Sequence, residues 1–334
     1  MPLTWGIIGA GKISAEFAKA ISTLPNDQHQ VLAVAAQNLE RAQQFADDLQ
    51  IGTAYGTYAE LANDKQIDIA YIGNVNTQHF EVSKLMLASG KHVLCEKPLT
   101  LNEADSRELI ALAAQKKLFL MEAVWSRCFP VYAKLRSLID EGAIGEVMYV
   151  TAQFGRAFKD VERITSKELG GGTILDLGIY TLQFAQFVYK GLAPLSITTK
   201  GTLNGNGVDE STSAMITYKD GKIAIVSTHS RVGLMNEACI AGTKGMIKVP
   251  RFWAPDTIIT ETETFHYALP KVPAIKFRNE YTIGLSYEAL EVGRCIEMGL
   301  LESPKMTHAE TIELAQLMDK MRADVGVVFD GESK

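Results

Sequence analysis

The sequence has few cysteines, and they stand far apart along the chain. The four are Cys95, Cys128, Cys239 and Cys295, and no two form a Cys-x-x-Cys pair. This spacing argues against both a zinc site and a disulfide framework. We therefore expect no bound metal, and we expect the thiols to be reduced and buried.

The sequence also lacks an excess of positive charge and any long apolar run. It has 33 Lys and Arg residues against 39 Asp and Glu residues, a net charge of -6. This balance provides no field that would attract nucleic acid or anionic lipid. The apolar runs are cut by charges or glycines before they reach the roughly 18 residues that span a bilayer. We expect no secretion signal, because the first residues have no basic stretch before an apolar core. We expect a cytoplasmic protein without nucleic-acid or membrane partners.

The 334 residues, 47% of them hydrophobic, suffice for two domains. Up to Val124, short apolar runs alternate with amphipathic patterns. The runs predict strands at residues 4–8, 30–36, 67–72, 92–95 and 118–123, and the patterns predict helices at 13–24, 39–49, 78–89 and 101–117. Strands that alternate with helices are typical of a doubly wound parallel sheet. We predict a Rossmann-type α/β domain over residues 1–124.

The pattern changes after Val124, where apolar runs follow one another with polar turns between them. Strands are predicted at residues 147–154, 196–202, 212–218, 222–230 and 237–249, and helices at 131–140, 173–188, 286–300 and 308–325. The glycine-rich segment 204–207 predicts a loop. Residues 125–334 are therefore expected to form an α+β domain with a large, open, mostly antiparallel sheet. Its open face predicts a homodimer.

A glycine-rich turn follows the first predicted strand and opens the first predicted helix. It reads Gly9-Ala10-Gly11-Lys12-Ile13-Ser14. In a dinucleotide-binding unit the first glycine permits the tight turn, the second lets the pyrophosphate approach the backbone, and the helix N-terminus supplies N–H donors. Ser14 stands where a third glycine often does. The motif predicts a dinucleotide site, and a plain glycine turn is the alternative.

The end of the second predicted strand lacks the acidic residue that usually holds the ribose hydroxyl of NAD. Gln37 and Asn38 stand there instead, and Arg41 follows one helical turn later. Arg41 can pair with a 2′-phosphate, and the two amides can donate hydrogen bonds to it. This combination favours NADP over NAD. Alternatively, Arg41 is simply a solvated helix residue.

Two further motifs carry groups that can handle protons. Glu96-Lys97-Pro98 follows a predicted strand at the edge where ligands bind doubly wound sheets. The Lys97 ammonium could stabilise a developing alkoxide there. The sequence leaves open whether the peptide bond before Pro98 is cis. In the second motif, Asp176 and Tyr180 are four residues apart on a predicted helix and so share a face. The phenol could shuttle the proton, although a surface lysine and an ordinary helix pair are the plainer interpretations.

Together, and in this order, these motifs resemble the glucose-fructose oxidoreductase and inositol dehydrogenase family over essentially the whole chain. The broader family usually has histidine where Tyr180 stands, and one branch has tyrosine. Seven segments resemble that branch: residues 3–7, 34–36, 70–73, 93–98, 120–123, 176–180 and 242–246. The same branch commonly has arginine where Gln37 stands, which leaves Arg41 as the nearby arginine for a 2′-phosphate.

The resemblance implies an NADP-dependent oxidoreductase that transfers hydride between the cofactor and a cyclic polyol. The polyol would be an aldose such as D-xylose, oxidised at C1, or a trans-dihydrodiol of an aromatic. Lys97 and Tyr180 would form the proton-handling pair, with the ammonium favouring the phenolate, and Asp176 would seat the substrate hydroxyl. The candidate cofactor-binding residues are Gly9, Gly11, Lys12, Ile13, Gln37, Asn38, Arg41, Tyr71, Asn74, His79, Glu96 and Lys97. The candidate substrate-binding residues are Trp125, Phe154, Asp176, Tyr180 and Trp253.

Two other functions remain open at this point. One keeps the same fold and site but is an NADPH-dependent reductase of a dicarbonyl or an anhydro-sugar. The other is a non-catalytic NADP-binding sensor. The presence of Lys97, Asp176 and Tyr180 together argues against a sensor, because binding the nucleotide requires none of the three.

Overall fold

The structure is a computed structural model that describes residues 1–158 and 160–329. The chain forms two compact units. Unit 1 contains Met1–Thr100, Ala104–Cys128 and Leu269–Thr311, and unit 2 contains Leu101–Glu103, Phe129–Ala268 and the residues from Ile312 onward. The sequence-based division after Val124 is simpler than this packing, since Leu269–Thr311 returns to unit 1.

Unit 1 is built on a six-stranded parallel sheet. Its strands are β1 (Leu3–Ile8), β2 (His29–Ala35), β3 (Thr53–Tyr55), β4 (Ile69–Ile72), β5 (His92–Glu96) and β6 (Leu120–Ala123), in the order β3-β2-β1-β4-β5-β6. Every neighbouring pair is parallel. The helices between the strands are α1 (Lys12–Ile21), α2 (Leu39–Leu49), α3 (Tyr58–Asn63), α4 (His79–Ala88) and α5 (Glu103–Lys116). This order reverses beside β1, as in the predicted dinucleotide-binding fold.

The central strands of this sheet are apolar on both faces. All four residues of β4 are buried, and Ile7, Ile8 and Leu94 are fully enclosed. Strands that helices cover on both sides have this composition because neither face meets water. The predicted α/β class is therefore confirmed. Neither β3 nor α3 was predicted from the sequence, because each is too short to show a clear period.

Unit 2 contains an eight-stranded sheet in the order β14-β13-β12-β11-β7-β10-β9-β8. Its strands are β7 (Val147–Gly155), β8 (Ser196–Leu203), β9 (Asp209–Thr217), β10 (Ile223–His229), β11 (Glu237–Gly242), β12 (Gly245–Pro250), β13 (Thr257–Thr260) and β14 (Thr264–His266). Of the strand pairs that the structure describes in this sheet, only β7 with β10 is parallel. The helices that follow α5 are α6 (Pro130–Asp140), α7 (Glu162–Thr165), α8 (Ile179–Val188), α9 (Leu285–Glu297) and α10 (His308–Val325), of which α9 belongs to unit 1.

The predicted strand at residues 237–249 is wrong as a single element. The chain reverses at Thr243-Lys244 between Gly242 and Gly245, so the segment forms the antiparallel hairpin of β11 and β12. Two residues bounded by glycines make a tight turn without the polar cluster that marks longer loops. The glycine-rich loop at residues 204–207 is confirmed between β8 and β9. The large, mostly antiparallel sheet is confirmed as well.

The sheet of unit 2 has one buried face and one open face. Alternate residues of β10, among them Ala224 and Val226, are buried on the side that packs against α8. On the other side, Tyr149, Met215 and Met246 are exposed. Across the part of the chain that the structure describes, we find no helix both long and apolar enough to cross a membrane.

Candidate active site

The glycine turn after β1 has the geometry that a pyrophosphate needs. Gly9 has φ +91°, and a Cβ on it would lie 3.2 Å from the backbone of Asn74. Gly11 precedes α1 in an extended conformation, and no side chain caps the first turn of that helix. The nearest atom to a Cβ on Gly11 would be the carbonyl oxygen of Gly73, at 3.5 Å. Lys12 and Ile13 open the helix. These residues fit a dinucleotide, whose phosphates would lie against the uncapped N–H groups of α1.

The end of β2 brings Arg41 to the glycine turn. Asn38 is the N-cap of α2, and its Oδ1 accepts the backbone N–H of Arg41 at 2.8 Å. The Arg41 guanidinium donates from Nη2 to the carbonyl oxygen of Ala10 at 3.2 Å. Gln37, Asn38 and Arg41 are all exposed. Arg41 therefore lies against the glycine turn, whereas the Asn38 oxygen is already used by the helix cap.

The Glu96-Lys97-Pro98 motif leaves the end of β5 in unit 1, and the Lys97–Pro98 peptide bond is cis. The hydroxyl of Tyr71 donates to Glu96 Oε1 at 2.6 Å. The Tyr71 ring is fully enclosed and stacks on Phe17 with ring centroids 3.8 Å apart. This hydrogen bond joins Tyr71 on β4 to Glu96 on β5. Burial raises the pKa of the Tyr71 hydroxyl well above its ordinary value. Contact of either residue with a cofactor stays a prediction.

His79 connects Asn74 to the segment that follows Lys97. The imidazole is fully buried, with Nδ1 2.7 Å from the carbonyl oxygen of Pro98 and Nε2 3.3 Å from that of Asn74. Burial lowers the pKa of His79, so the ring is neutral at physiological pH. A neutral ring carries one N–H, and the shorter contact favours the proton on Nδ1. In this position His79 orients the turn that carries Lys97.

Glu122, at the end of β6, is a site residue that the sequence analysis missed. It pairs in register with Cys95 on β5, and its Oε1 accepts the backbone N–H of Leu99 at 2.9 Å. Burial raises the pKa of Glu122 to about 7, although the positive charges of Lys97 and Arg127 act in the opposite direction. A glutamate within the otherwise apolar run at residues 118–123 was the available signal, since buried carboxylates are rare without a partner.

In unit 2, the segment before α8 carries the second polar pair. Asp176 and Tyr180 are both buried. The predicted helix at residues 173–188 is confirmed in its bounds, but Ile174–Gly178 forms a π-helical turn that passes into α8. Such turns are frequent at functional sites, where they displace a side chain from the regular helical position. Arg163 Nη1 lies 2.6 Å from Asp176 Oδ1, a contact that the sequence did not predict.

Aromatic rings lie beside Tyr180 in unit 2. Phe154, near the end of β7, stacks on Trp253 with centroids 3.9 Å apart and planes 15° apart. The Tyr180 ring meets Phe154 in an edge-to-face arrangement at 5.9 Å. Three of the predicted substrate-binding residues therefore lie together. The fourth aromatic residue, Trp125, is nearly buried in a short 3-10 turn of unit 1.

Comparison with known proteins defines the class. Residues 3–124 match the model of an oxidoreductase family with an NAD-binding Rossmann fold. Residues 132–248 match the GFO/IDH/MocA C-terminal domain. The fold and the glycine turn thus define a nicotinamide-dependent oxidoreductase of two-unit architecture. More particularly, the chain belongs to the GFO/IDH/MocA family, as the sequence motifs predicted.

Several full-length relatives carry the same description. The trans-1,2-dihydrobenzene-1,2-diol dehydrogenase of Xenopus tropicalis is 44% identical over 331 residues, covering 98% of this chain and all of the relative. The enzyme of that description from Danio rerio is 42% identical over 335 residues, and the one from Homo sapiens is 39% identical over 336 residues. Each of these two alignments covers the full length of both chains. These enzymes belong to the branch that the sequence motifs resemble.

Solved structures of lower identity share the fold. An aldose-aldose oxidoreductase from Caulobacter crescentus, complexed with glycerol, has a TM-score of 0.83 at 19% identity over 98% of both chains. A levoglucosan dehydrogenase, in complex with NADH and levoglucosan, has a TM-score of 0.84 at 19% identity, again over 98% of both chains. At this identity the likeness extends to the architecture alone.

Proposed function

We propose that the protein is an NADP-dependent dehydrogenase of cyclic polyols, either an aldose such as D-xylose, oxidised at C1, or a trans-dihydrodiol of an aromatic compound. The observation that carries the proposal is the cluster in unit 2. There the buried phenol of Tyr180 meets an aromatic platform, Phe154 stacked on Trp253, and the buried carboxylate of Asp176 stands four residues before that phenol. Apolar ring faces with few polar groups suit a flat or chair-shaped ring that carries hydroxyls. Full-length identity of 39–44% to dihydrodiol dehydrogenases supports the same class of substrate.

Each polar residue has a distinct part in this proposal. Bound NADP would supply the hydride acceptor. Tyr180 takes the proton from the substrate hydroxyl, and the ammonium of Lys97 favours the phenolate that does so. Asp176 accepts a hydrogen bond from a substrate hydroxyl. Tyr71, Glu96 and His79 fix the turn that carries Lys97, since their hydrogen bonds join β4, β5 and the start of α4.

The NADP preference rests on Arg41. No carboxylate stands at the end of β2, and the Arg41 guanidinium lies against the glycine turn through Ala10. A guanidinium recognises a phosphate by charge and by its planar array of donors. Gln37 is exposed just after the end of β2 and can donate a further hydrogen bond. Trp125 is also proposed as an aromatic residue of the substrate site, in addition to Phe154 and Trp253.

We further propose a homodimer that forms through the open face of the unit 2 sheet. A row of residues in register crosses four strands of that face: Met246, Ala241, Tyr149 and Ile223. Tyr149 and Met246 are exposed large side chains, and an apolar surface of this kind is typical of subunit interfaces. Sedimentation of wild type and of Tyr149→Glu would test the dimer. We expect a monomer only for the variant, and a monomeric wild type would contradict the proposal.

We also propose that the enzyme works in the cytoplasm. All four cysteines are free, and three of them are buried. Reducing compartments maintain cysteines in this state. Fractionation of the native cells with an antibody against the chain would test this location, and recovery in a secreted fraction would contradict it.

An activity screen tests the main proposal. The purified protein is assayed with D-xylose and with the trans-dihydrodiol of benzene, each with NADP and with NAD. The reverse direction is assayed with NADPH and either a dicarbonyl or an anhydro-sugar. We expect the highest kcat/KM for a polyol with NADP. Turnover confined to the carbonyl compounds would favour the reductase alternative. NADP binding without any turnover would favour the sensor.

A further inference from the structure

Asp176 has an ionic partner that the proposed mechanism does not use. Arg163, on the short helix α7, places Nη1 2.6 Å from Asp176 Oδ1. Only 8% of the Asp176 side chain is exposed, whereas 52% of the Arg163 side chain is. A guanidinium in contact with a buried carboxylate favours the ionised form of the acid and restricts its orientation.

The three glycines before Asp176 bring the chain directly against α7. The N–H of Gly172 donates to the carbonyl oxygen of Ile164 at 2.8 Å, and that of Gly171 donates to the carbonyl oxygen of Ser166 at 2.9 Å. A Cβ on Gly171 would lie only 2.6 Å from both of these oxygens. Because Ile164 is also buried, α7 has a fixed position relative to the segment that leads to Asp176.

The start of that segment is also held by Asp209, at the beginning of β9. Asp209 accepts the hydroxyl of Thr173 at 2.5 Å and the N–H of Ile174 at 2.8 Å, both at Oδ2. Asp209 and Thr173 are buried. Asp209 therefore holds the chain at Thr173 and Ile174, just before Asp176, and Arg163 contacts the carboxylate itself.

We propose that Arg163 is a positioning residue of the substrate site, which keeps Asp176 ionised and oriented so that it accepts a hydrogen bond from a substrate hydroxyl. This inference rests on the proposed function, in which Asp176 seats that hydroxyl. An ionised carboxylate is an acceptor only, whereas a protonated one can also donate to a carbonyl oxygen. Arg163 thus selects hydroxyl-bearing substrates over carbonyl compounds.

The kinetic test compares Arg163→Met and Arg163→Lys with wild type. For Arg163→Met we expect the KM for the polyol to rise about tenfold or more, because Asp176 would no longer be held to accept the substrate hydroxyl. A rise of this size is usual when a hydrogen bond to a charged group is lost. We also expect the acid limb of the pH profile of kcat/KM to move to higher pH in Arg163→Met. Arg163→Lys should restore part of the wild-type KM and part of the wild-type pH profile. Lys320→Met is the matched control, because it removes a cation from the Lys320–Asp324 pair on α10 of the same unit. It should leave KM and the pH profile unchanged.

A double-mutant cycle and a titration complete the test. In the Asp176→Asn background, Arg163→Met should add little further loss. Infrared difference spectra, with Asp176→Asn subtracted, should show Asp176 protonating at higher pH in Arg163→Met than in wild type, and this readout needs no turnover. If wild type oxidises no polyol, the proposed function is wrong. The infrared titration still shows in that case whether Arg163 keeps Asp176 ionised. The proposal would be overturned if Asp176 titrated at the same pH in Arg163→Met as in wild type, or if the losses in the double-mutant cycle were additive. It would also be overturned if an active Arg163→Met enzyme kept the wild-type KM and acid limb.

Discussion

Ser14 and Gly73 share one space beside the glycine turn. The Ser14 hydroxyl donates to the carbonyl oxygen of Gly73 at 3.4 Å, and a Cβ on Gly73 would lie 2.4 Å from Ser14 Oγ. In many dinucleotide-binding turns the third glycine allows the helix and strand to pack closely. Here a glycine after β4 provides that room instead, and this explains how serine can occupy position 14.

Substitution at this contact should show the shared space directly. Gly73→Ala should lower stability by about 2 kcal/mol or more and weaken NADPH binding, because the new methyl group meets Ser14 Oγ and, at 2.9 Å, the Tyr71 ring. Ser14→Gly in the same chain should recover part of the loss, since it removes one of the two obstacles. Urea unfolding and NADPH fluorescence titration measure both effects. Strictly additive losses in the double variant would show that the two residues do not share the space.

Arg41 should distinguish the two nicotinamide cofactors. Arg41→Met should raise the KM for NADP about tenfold or more while the KM for NAD changes less than about twofold, because only NADP carries the 2′-phosphate. Arg41→Lys should give an intermediate value, since it retains the charge but not the planar donors. Initial rates at saturating substrate give both constants. Equal increases for NADP and NAD would mean that Arg41 supports the turn and not the phosphate.

Gly172, in the segment before Asp176, should be difficult to replace. Its φ is +111°, and a Cβ there would lie 2.3 Å from Asp209 Oδ1. Gly172→Ala should therefore cost more than Gly191→Ala, the control, which has φ +81° but no atom within 4 Å of its Cβ position. We expect about 1 kcal/mol for Gly191→Ala, from backbone conformation alone, and at least about 2 kcal/mol more for Gly172→Ala. Equal urea midpoints for the two variants would contradict this account of Asp209.

Glu122 should make the stability of the protein depend on pH. Its pKa is raised from 4.5 to about 7. Between these values the folded protein keeps a proton that the unfolded chain has lost, so the contribution of Glu122 to stability falls as pH rises from about 4.5 to about 7 and is constant above that. Glu122→Gln retains an acceptor for the Leu99 N–H but does not titrate. Relative to this variant, wild type should lose about 2–3 kcal/mol between pH 5 and pH 8.

Urea unfolding at the two pH values measures this difference. Glu108→Gln is the control, because Glu108 is an exposed residue that pairs with Lys84 on the surface. It should follow the wild-type pH dependence closely. If Glu122→Gln also followed wild type, the buried carboxyl would not be the titrating group.

The sequence predicted the architecture well wherever local pattern determines it. Helices α2 and α10 have the predicted ends, and each begins after a residue whose side chain accepts a backbone N–H of the first turn, Asn38 for α2 and Thr307 for α10. The return of Leu269–Thr311 to unit 1 could not be predicted, because no local pattern indicates which sheet a distant segment packs against. The hairpin of β11 and β12 was missed because its turn is only two residues long.

The same limit applies to the candidate site. Lys97, Asp176 and Tyr180 were found because they stand in motifs, whereas Arg163, Asp209 and Glu122 act through partners 13, 35 and 23 residues away in sequence. Such pairs become visible only when the chain is folded. Arg163 in particular stands among other charged residues in a segment that reads as solvated loop.

The most direct test of the central proposal is the turnover number of Tyr180→Phe with NADP and the best polyol substrate of the screen. The variant retains the ring that meets Phe154 and loses only the hydroxyl. We expect kcat to fall by about 10²–10⁴-fold, the usual contribution of a general acid or base, while the Kd for NADPH stays within about twofold. A variant that kept nearly full turnover would contradict the assignment of Tyr180 as the proton-handling residue.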